Sequence, residues 1–323
     1  MRSTSRERRS SRSARVRVVS AAGLLLLLTA CAGTTQGQAF PDWEDLEERD
    51  AARFEAQLEA LGTAINESSP FTTTAEMSVT GVSYVHAAYG ERDSGSQAVV
   101  HVLGNPASIF IQQTDADAGY TIDTLHVGGQ TWDYLLLGDG YASLAPTPWV
   151  QMPTIYGHPD EDPLTASLRT VCFIEGFQQM CEIHDTVVTT AESPRGQDMR
   201  ASVTVEPDGV VRSETEVTLA AVIENNGLLH IPPEISSELT QAMLDSFIPV
   251  TLWQDADGMI IKVEMNGSVP GTDGADDFVV QAGFEITGTA SPEDFPTPPI
   301  AWDTTVITDE QAIDDFYTKM GNL

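Results

Sequence analysis

Positive charge is the scarcest property of this chain. Of 323 residues, 16 are lysine or arginine against 48 aspartate or glutamate, and only Lys262 and Lys319 are lysines. Seven arginines crowd the first seventeen positions (Arg2, Arg6, Arg8, Arg9, Arg12, Arg15, Arg17), with one acid, Glu7, among them. Setting those eight aside leaves 9 basic and 47 acidic groups, a formal charge of −38 over the remaining chain. A field of that sign repels DNA, RNA and anionic lipid headgroups, which excludes nucleic-acid binding. The acids read as a solvated surface suited to a salty medium.

Familiar catalytic arrangements are missing too. The sequence holds no G-x-S-x-G, S-x-x-K or H-E-x-x-H and no glycine-rich phosphate loop. Its six histidines (His86, His101, His126, His158, His184, His230) stand apart, none two or four residues from another. Acidic pairs are common, but 47 acids produce them by chance, so a glycosidase-type pair cannot be singled out. Asp255-Ala-Asp-Gly258 and Asp273-Gly-Ala-Asp276-Asp277 begin like calcium loops, yet lack the third ligand spacing and the downstream glutamate. They read as turns. No enzymatic activity, cofactor or metal is expected.

Long apolar runs are confined to one place. Val18 to Ala30 is an uncharged run of 13 residues, short of the roughly 20 that span a bilayer as a helix but right for a secretory core. It ends in Leu28-Thr29-Ala30-Cys31, which resembles a bacterial lipobox. That resemblance implies acylation of the Cys31 thiol and cleavage before it, with two signals giving stable anchoring. Residues 1–30 then form a signal peptide and 31–41 a flexible tether holding the protein on the outer side of the cell membrane. The remaining cysteines, Cys172 and Cys181, are an even pair, and in an exported protein a disulfide is the expected state. Their loop of about ten residues would stabilise by roughly 2.5–3 kcal/mol. There is no C-x-x-C metal or redox spacing.

With 41% hydrophobic residues the chain is globular. A first amphipathic helix is predicted from Asp42, with Trp43, Leu46, Phe54, Leu58, Leu61 and Ile65 on one face. Strands are predicted at Thr72–Val85 and Gln97–Leu103 around an ERDSGS loop. Further strands follow at Ser108–Gln113, Thr121–Val127, Thr131–Leu137, Tyr141–Leu144 and Trp149–Met152. A short helix is predicted after Pro163, then strands at Glu182–Thr190, Ala201–Glu206 and Glu214–Ile223. A second amphipathic helix, Pro233 to Phe247, carries Ile235, Leu239, Met243 and Phe247 at four-residue steps. The clearest hairpin is Val250–Gln254 with Met259–Met265; Phe278–Thr287 is the last strong strand. The proline-rich segment 291–303 is expected along a sheet edge and Asp309–Met320 as a terminal helix.

Leu125-His-Val-Gly-Gly-Gln-Thr-Trp-Asp-Tyr134, Trp149-Val-Gln-Met-Pro153 and the hairpin Ile248–Glu264, in this order of elements, resemble the mycobacterial LppX/LprG lipoprotein family. More loosely they resemble the LolA/LolB lipoprotein carriers. The resemblance implies an α+β domain over 42–323: an antiparallel half-barrel with helices across its concave face and an apolar cavity for acyl chains. Residues 155–215 depart from it as an insertion. The implied function is binding or carrying a lipid or lipoglycan, with Phe54, Leu58, Leu239, Met243 and Phe247 facing the cavity. Helix stripes of this kind equally suit a solid α+β core. An accessory lipoprotein acting through a protein partner, and a hydrolase with a clustered histidine or carboxylate pair, are the alternative classes.

Overall fold

The computed structural model describes residues 77–114, 120–154, 174–225, 227, 229, 231–257 and 259–322, with Ala52 and Ala56. The chain divides into two units, 1–43 and 44–323, and the described residues all belong to the second.

Alternating apolar and polar residues dominate the described chain, and they form a single sheet. In chain order the strands are β1 (Met77–Tyr89), β2 (Arg92–Gly104), β3 (Ala107–Gln113), β4 (Ile122–His126), β5 (Trp132–Leu137) and β6 (Trp149–Pro153). Then come β7 (Ser202–Val205), β8 (Val211–Thr218), β9 (Phe247–Gln254), β10 (Ile260–Val269), β11 (Phe278–Gly288) and β12 (Thr304–Val306). The spatial order is β12-β6-β5-β4-β3-β2-β1-β11-β10-β9-β8-β7. All pairs are antiparallel except β12 with β6. The sheet is open and curved, and the fold is α+β with helices on the concave face, as expected.

Register carries the apolar pattern across the strands. One cross-strand row reads Val79, Val102, Ile109, His126, Asp133, Met152, and its neighbour reads Val100, Ile111, Thr124, Leu135, Val150. On the other side of β1 the same face continues through Phe284, Val263, Leu252 and Ser213. This inner face carries the helices: α1 (Phe177–Glu192), α2 (Leu219–Glu224), α3 (Pro233–Glu238), α4 (Gln241–Leu244) and α5 (Glu310–Met320).

Several expected elements differ. The β1–β2 hairpin turns at Gly90 (φ 60) and Glu91, and Arg92–Ser96 belongs to the strand, extending an exposed hairpin tip instead of forming a loop. Tyr141 closes a short 3-10 turn, Asp139–Tyr141, instead of opening a strand. Glu182–Thr190 is the body of α1, not a strand. Two of its threonines donate within the helix: Thr186 Oγ1 to Glu182 O at 2.6 Å and Thr190 Oγ1 to Thr186 O at 2.9 Å. The strand over Glu214–Ile223 stops at Thr218, whose hydroxyl accepts from Ala221 N and caps α2. The single helix expected over 233–247 is broken. Leu239 is extended, Thr240 caps α4 by accepting from Met243 N, and Phe247 opens β9.

The proline-rich segment does not follow an edge; it crosses the outer face. Ser78 Oγ on β1 donates to Ala290 O at 2.7 Å, and the Phe295 ring lies 6.2 Å from that of His101 on β2. Only its end reaches the rim, where β12 joins β6. Elsewhere on the outer face, scarce lysine is used for a strand-bridging cluster. Lys262 Nζ lies 3.3 Å from Glu264, 3.5 Å from Glu285 and 5.0 Å over the Trp253 ring. Tyr84 donates to Glu264 at 2.5 Å. Burial, then that bond, pushes the Tyr84 hydroxyl up. Burial acts against ionised Glu264, but Tyr84 and Lys262 outweigh it and hold the carboxyl low.

Candidate functional site: the helix-bearing face

The inner face holds two apolar groupings. The larger joins β1–β3 and β8–β11 to α1–α4. Its centre is Phe284, fully buried and packed against Phe177 of α1 with ring centroids 5.6 Å apart. Two glycines make room for that ring. A Cβ on Gly81 of β1 would press on Phe284 Cε2 and Cζ. One on Gly176, which has φ +93 at the start of α1, would fall 2.6 Å from Cδ2 and 2.9 Å from Cζ. The Gly176 amide donates to the buried Gln179 side chain, closing the first turn of α1.

Beside this contact sits a polar pair in apolar surroundings. The fully buried Ser83 donates to Glu175 Oε1 at 2.9 Å, tying the start of α1 to the middle of β1. Burial pushes the Glu175 carboxyl up, and the Ser83 bond only tempers it. At its other end α1 is fixed by Thr190 Oγ1, which accepts from Thr218 N at 3.1 Å. Asn225 after α2 donates to Thr189 Oγ1 at 3.0 Å.

Of the five side chains expected to face a cavity, the structure brings two together. Leu239 and the fully buried Met243 enter the larger grouping, with Ile235. Phe247 does not join them. It is half-buried on β9, one residue out of step with inward-facing Ile248, with the Arg195 guanidinium 4.9 Å over its ring. Phe54, Leu58, Cys31 and Cys172 lie outside the described residues, although the chain is helical at Ala52 and Ala56. Cys181 is buried on α1.

The smaller grouping covers the β5–β6 end. Leu135, Leu137, Val150 and Met152 are buried there together with Phe316 of α5, with Ile313 and Met320 packed partly against them. Alongside lies a pair that sequence reasoning missed. His126 Nδ1 is 2.7 Å from Asp133 Oδ1, both buried, and Thr154 Oγ1 lies 3.3 Å from the same nitrogen. These residues are seven apart, outside the spacings searched for. The signal was the hairpin: Gly128-Gly129 sets the turn, and antiparallel register then makes His126 and Asp133 direct partners. Both groups that Asp133 and Thr154 present to His126 meet one ring nitrogen, an arrangement that pins the ring between two strands.

A groove of about 930 Å³ lies beside β7–β9, lined by residues 196–202, 214–216 and 249–251. Its lining mixes Asp198, Arg200, Glu214 and Glu216 with Met199, Ala201, Pro249 and Val250, and it shares no residue with the expected cavity. Among the described residues no group of three or more histidine, cysteine or acidic side chains is placed to hold a metal. Asp255 of the calcium-like stretch is spent on its own turn, accepting from Asp257 N and Met259 N, both at 2.9 Å. No helix among the described residues is long and apolar enough to cross a membrane.

No protein-family model and no curated protein matches the sequence. Among solved structures, the chain is similar to a LolA superfamily protein from Nitrosomonas europaea, with a TM-score of 0.25 and 9% identity over 73% of this chain and 97% of that one. It is also similar to a DUF1329 family protein from Desulfovibrio piger, with a TM-score of 0.24 and 10% identity over 75% of this chain and 96% of that one. Neither likeness assigns the chain to a family.

Proposed function

We propose that this protein is a membrane-anchored envelope lipoprotein that binds or carries a lipid or lipoglycan against the inner face of its sheet, without catalysis. The observation that carries this reading is the mismatch, among the described residues, between wall and roof. Twelve strands side by side make a wall roughly 55 Å wide. The longest described helix, α1, has 16 residues, about 24 Å of helix. The rest of the described roof over the larger grouping is three pieces of six, six and four residues, broken by extended backbone at Leu239. Short pieces shift separately without melting a long helix, so an acyl chain entering between roof and wall displaces little structure. The lipobox at Leu28–Cys31 supplies the location in this reading, with Cys31 as the acylated residue.

Native mass spectrometry of the acyl-free domain, prepared without detergent, tests it, with Leu239→Trp as the partner experiment. Co-purifying lipid is expected in the wild type. The tryptophan should fill the space and abolish uptake of a fluorescent fatty acid at little cost in stability. A clean apo mass, no uptake, and a loss of about 1–3 kcal/mol in the variant from overpacking would show a solid core, and with it an accessory protein acting through its surface.

A further inference from the structure

The C-terminal helix α5 is attached to the sheet in an unusual way for an eleven-residue element. Phe316 is its one buried side chain, and its other face carries Glu310, Asp314 and Asp315 in solvent. An isolated helix of that length does not hold its own shape in water. Phe316, with partly buried Ile313 and Met320 beside it, therefore fixes the element, and the patch it plugs (Leu135, Leu137, Val150, Met152) is separate from the larger grouping under α1–α4.

The patch is amphiphilic in its layout. Along β5, Leu137 and Leu135 are followed on the same face by Asp133, whose register partner on β6 is Met152. An apolar strip thus ends at a carboxylate held by His126 at 2.7 Å. The helix matches it with the same two features in sequence. Phe316 supplies an apolar ring, and Tyr317, its ring perpendicular to Phe316 at 5.6 Å, supplies a hydroxyl, which burial and then the charge of Asp133 push up.

We propose that the Leu135–Leu137–Val150–Met152 strip is an acyl-chain subsite that α5 occupies as an internal ligand, and that the lipid it takes presents a hydroxyl, not an anion, to Asp133. A carboxylate at the polar end favours an uncharged donor such as a glycerol or sugar hydroxyl and repels a fatty-acid anion. The strip is buried by Phe316, so lipid binding and helix docking compete. This deepens the carrier reading and rests on it, naming the headgroup class and a second place for a chain.

The test uses the full-length protein and two probes of equal chain length, 1-monolauroylglycerol and laurate, titrated by calorimetry. Phe316→Ala removes the plug, and Asp314→Pro, at an exposed position of the helix, unwinds α5 without touching the strip. Both should bind 1-monolauroylglycerol at least about tenfold more tightly than wild type, since an internal competitor lowers apparent affinity by the fraction of sites it fills. Laurate should gain less, and Asp133→Asn in the Phe316→Ala background should bring the two probes together. Unchanged affinity in both helix variants, with the sheet's circular dichroism intact, overturns the subsite. Equal gains for the two probes overturn the headgroup assignment. Wild-type protein that carries lipid while neither variant gains affinity leaves the carrier reading standing without this subsite. Variants that gain affinity in a protein whose main grouping never takes lipid do the reverse.

Discussion

Gly176→Ala perturbs the point where α1 meets the wall, and two separate costs can be worked out for it. The first is conformational. At φ +93 an alanine sits where side-chain-bearing residues are rarely found, at about 1–3 kcal/mol. The second is steric. The new methyl would stand 2.6 Å from Phe284 Cδ2, and the ring cannot retreat because Gly81 backs it on β1. Overpacking of that kind costs about 1–3 kcal/mol more. The sum, about 2–6 kcal/mol, should lower the melting temperature by roughly 4–20 °C in a domain of this size. Gly274→Ala is the control, since Gly274 has φ +89 but nothing within 4 Å of a Cβ, leaving only the conformational cost. Urea unfolding of both variants therefore separates strain from clash. Phe284→Leu added to Gly176→Ala should recover part of the clash but none of the strain, giving a coupling energy in a double-mutant cycle. If Gly176→Ala costs no more than Gly274→Ala, the ring is not pinned between two glycines and the anchoring of α1 has been misread.

Glu175 gives a pH signature. Its folded-state pKa is raised by burial, so the native state holds the proton more tightly than the unfolded chain. Its contribution to stability is therefore full below the unfolded pKa and is lost as pH rises through the folded one. Glu175→Gln should gain on wild type in urea midpoint between pH 4 and pH 8, and a constant difference across that range would contradict a buried, reluctantly ionised carboxyl. Cys31→Ala should release the protein to the medium or leave it unprocessed; a correctly cleaved variant that still sediments with membranes would remove the anchor assignment. Thiol labelling without reductant should find neither Cys172 nor Cys181 free, before or after denaturation, whereas labelling of both in urea would refute their pairing.

Much of the sheet was legible from residue order because a strand's two-residue period is a local property. The β9–β10 hairpin and the β4–β5 hairpin fall where the alternation and the Gly128-Gly129 turn place them, and the terminal helix expected over Asp309–Met320 is α5, capped by Asp309 accepting from Ala312 N. The failures have two causes, packing against the sheet and side-chain capping. Glu182–Thr190 is rich in Ile, Val and Thr, which favour strands on an exposed pleat. Lying on an apolar wall, the segment instead buries Ile183, Val187 and Thr190 at helical steps, and packing overrides a propensity worth at most tenths of a kcal/mol per residue. In the stretch 233–247 Ile235, Leu239 and Met243 do enter one apolar grouping, but Phe247 does not, because Thr240 satisfies the amide of Met243 and starts a new helix that ends before β9, a competition that periodicity does not register.

Composition alone predicts a chain too acidic to bind nucleic acid, and local pattern settled that it is mainly antiparallel β with helices of one apolar face. Which distant residues meet was decided only by the tertiary structure. Phe284 finds Gly81 and Gly176, Ser83 finds Glu175, and Phe316 finds the β5–β6 wall because a curved sheet brings strands and helices far apart in sequence over one face. His126 and Asp133 lie between these cases. Their partnership is written in the hairpin register, but their burial is not, since burial depends on what the rest of the chain lays over that face.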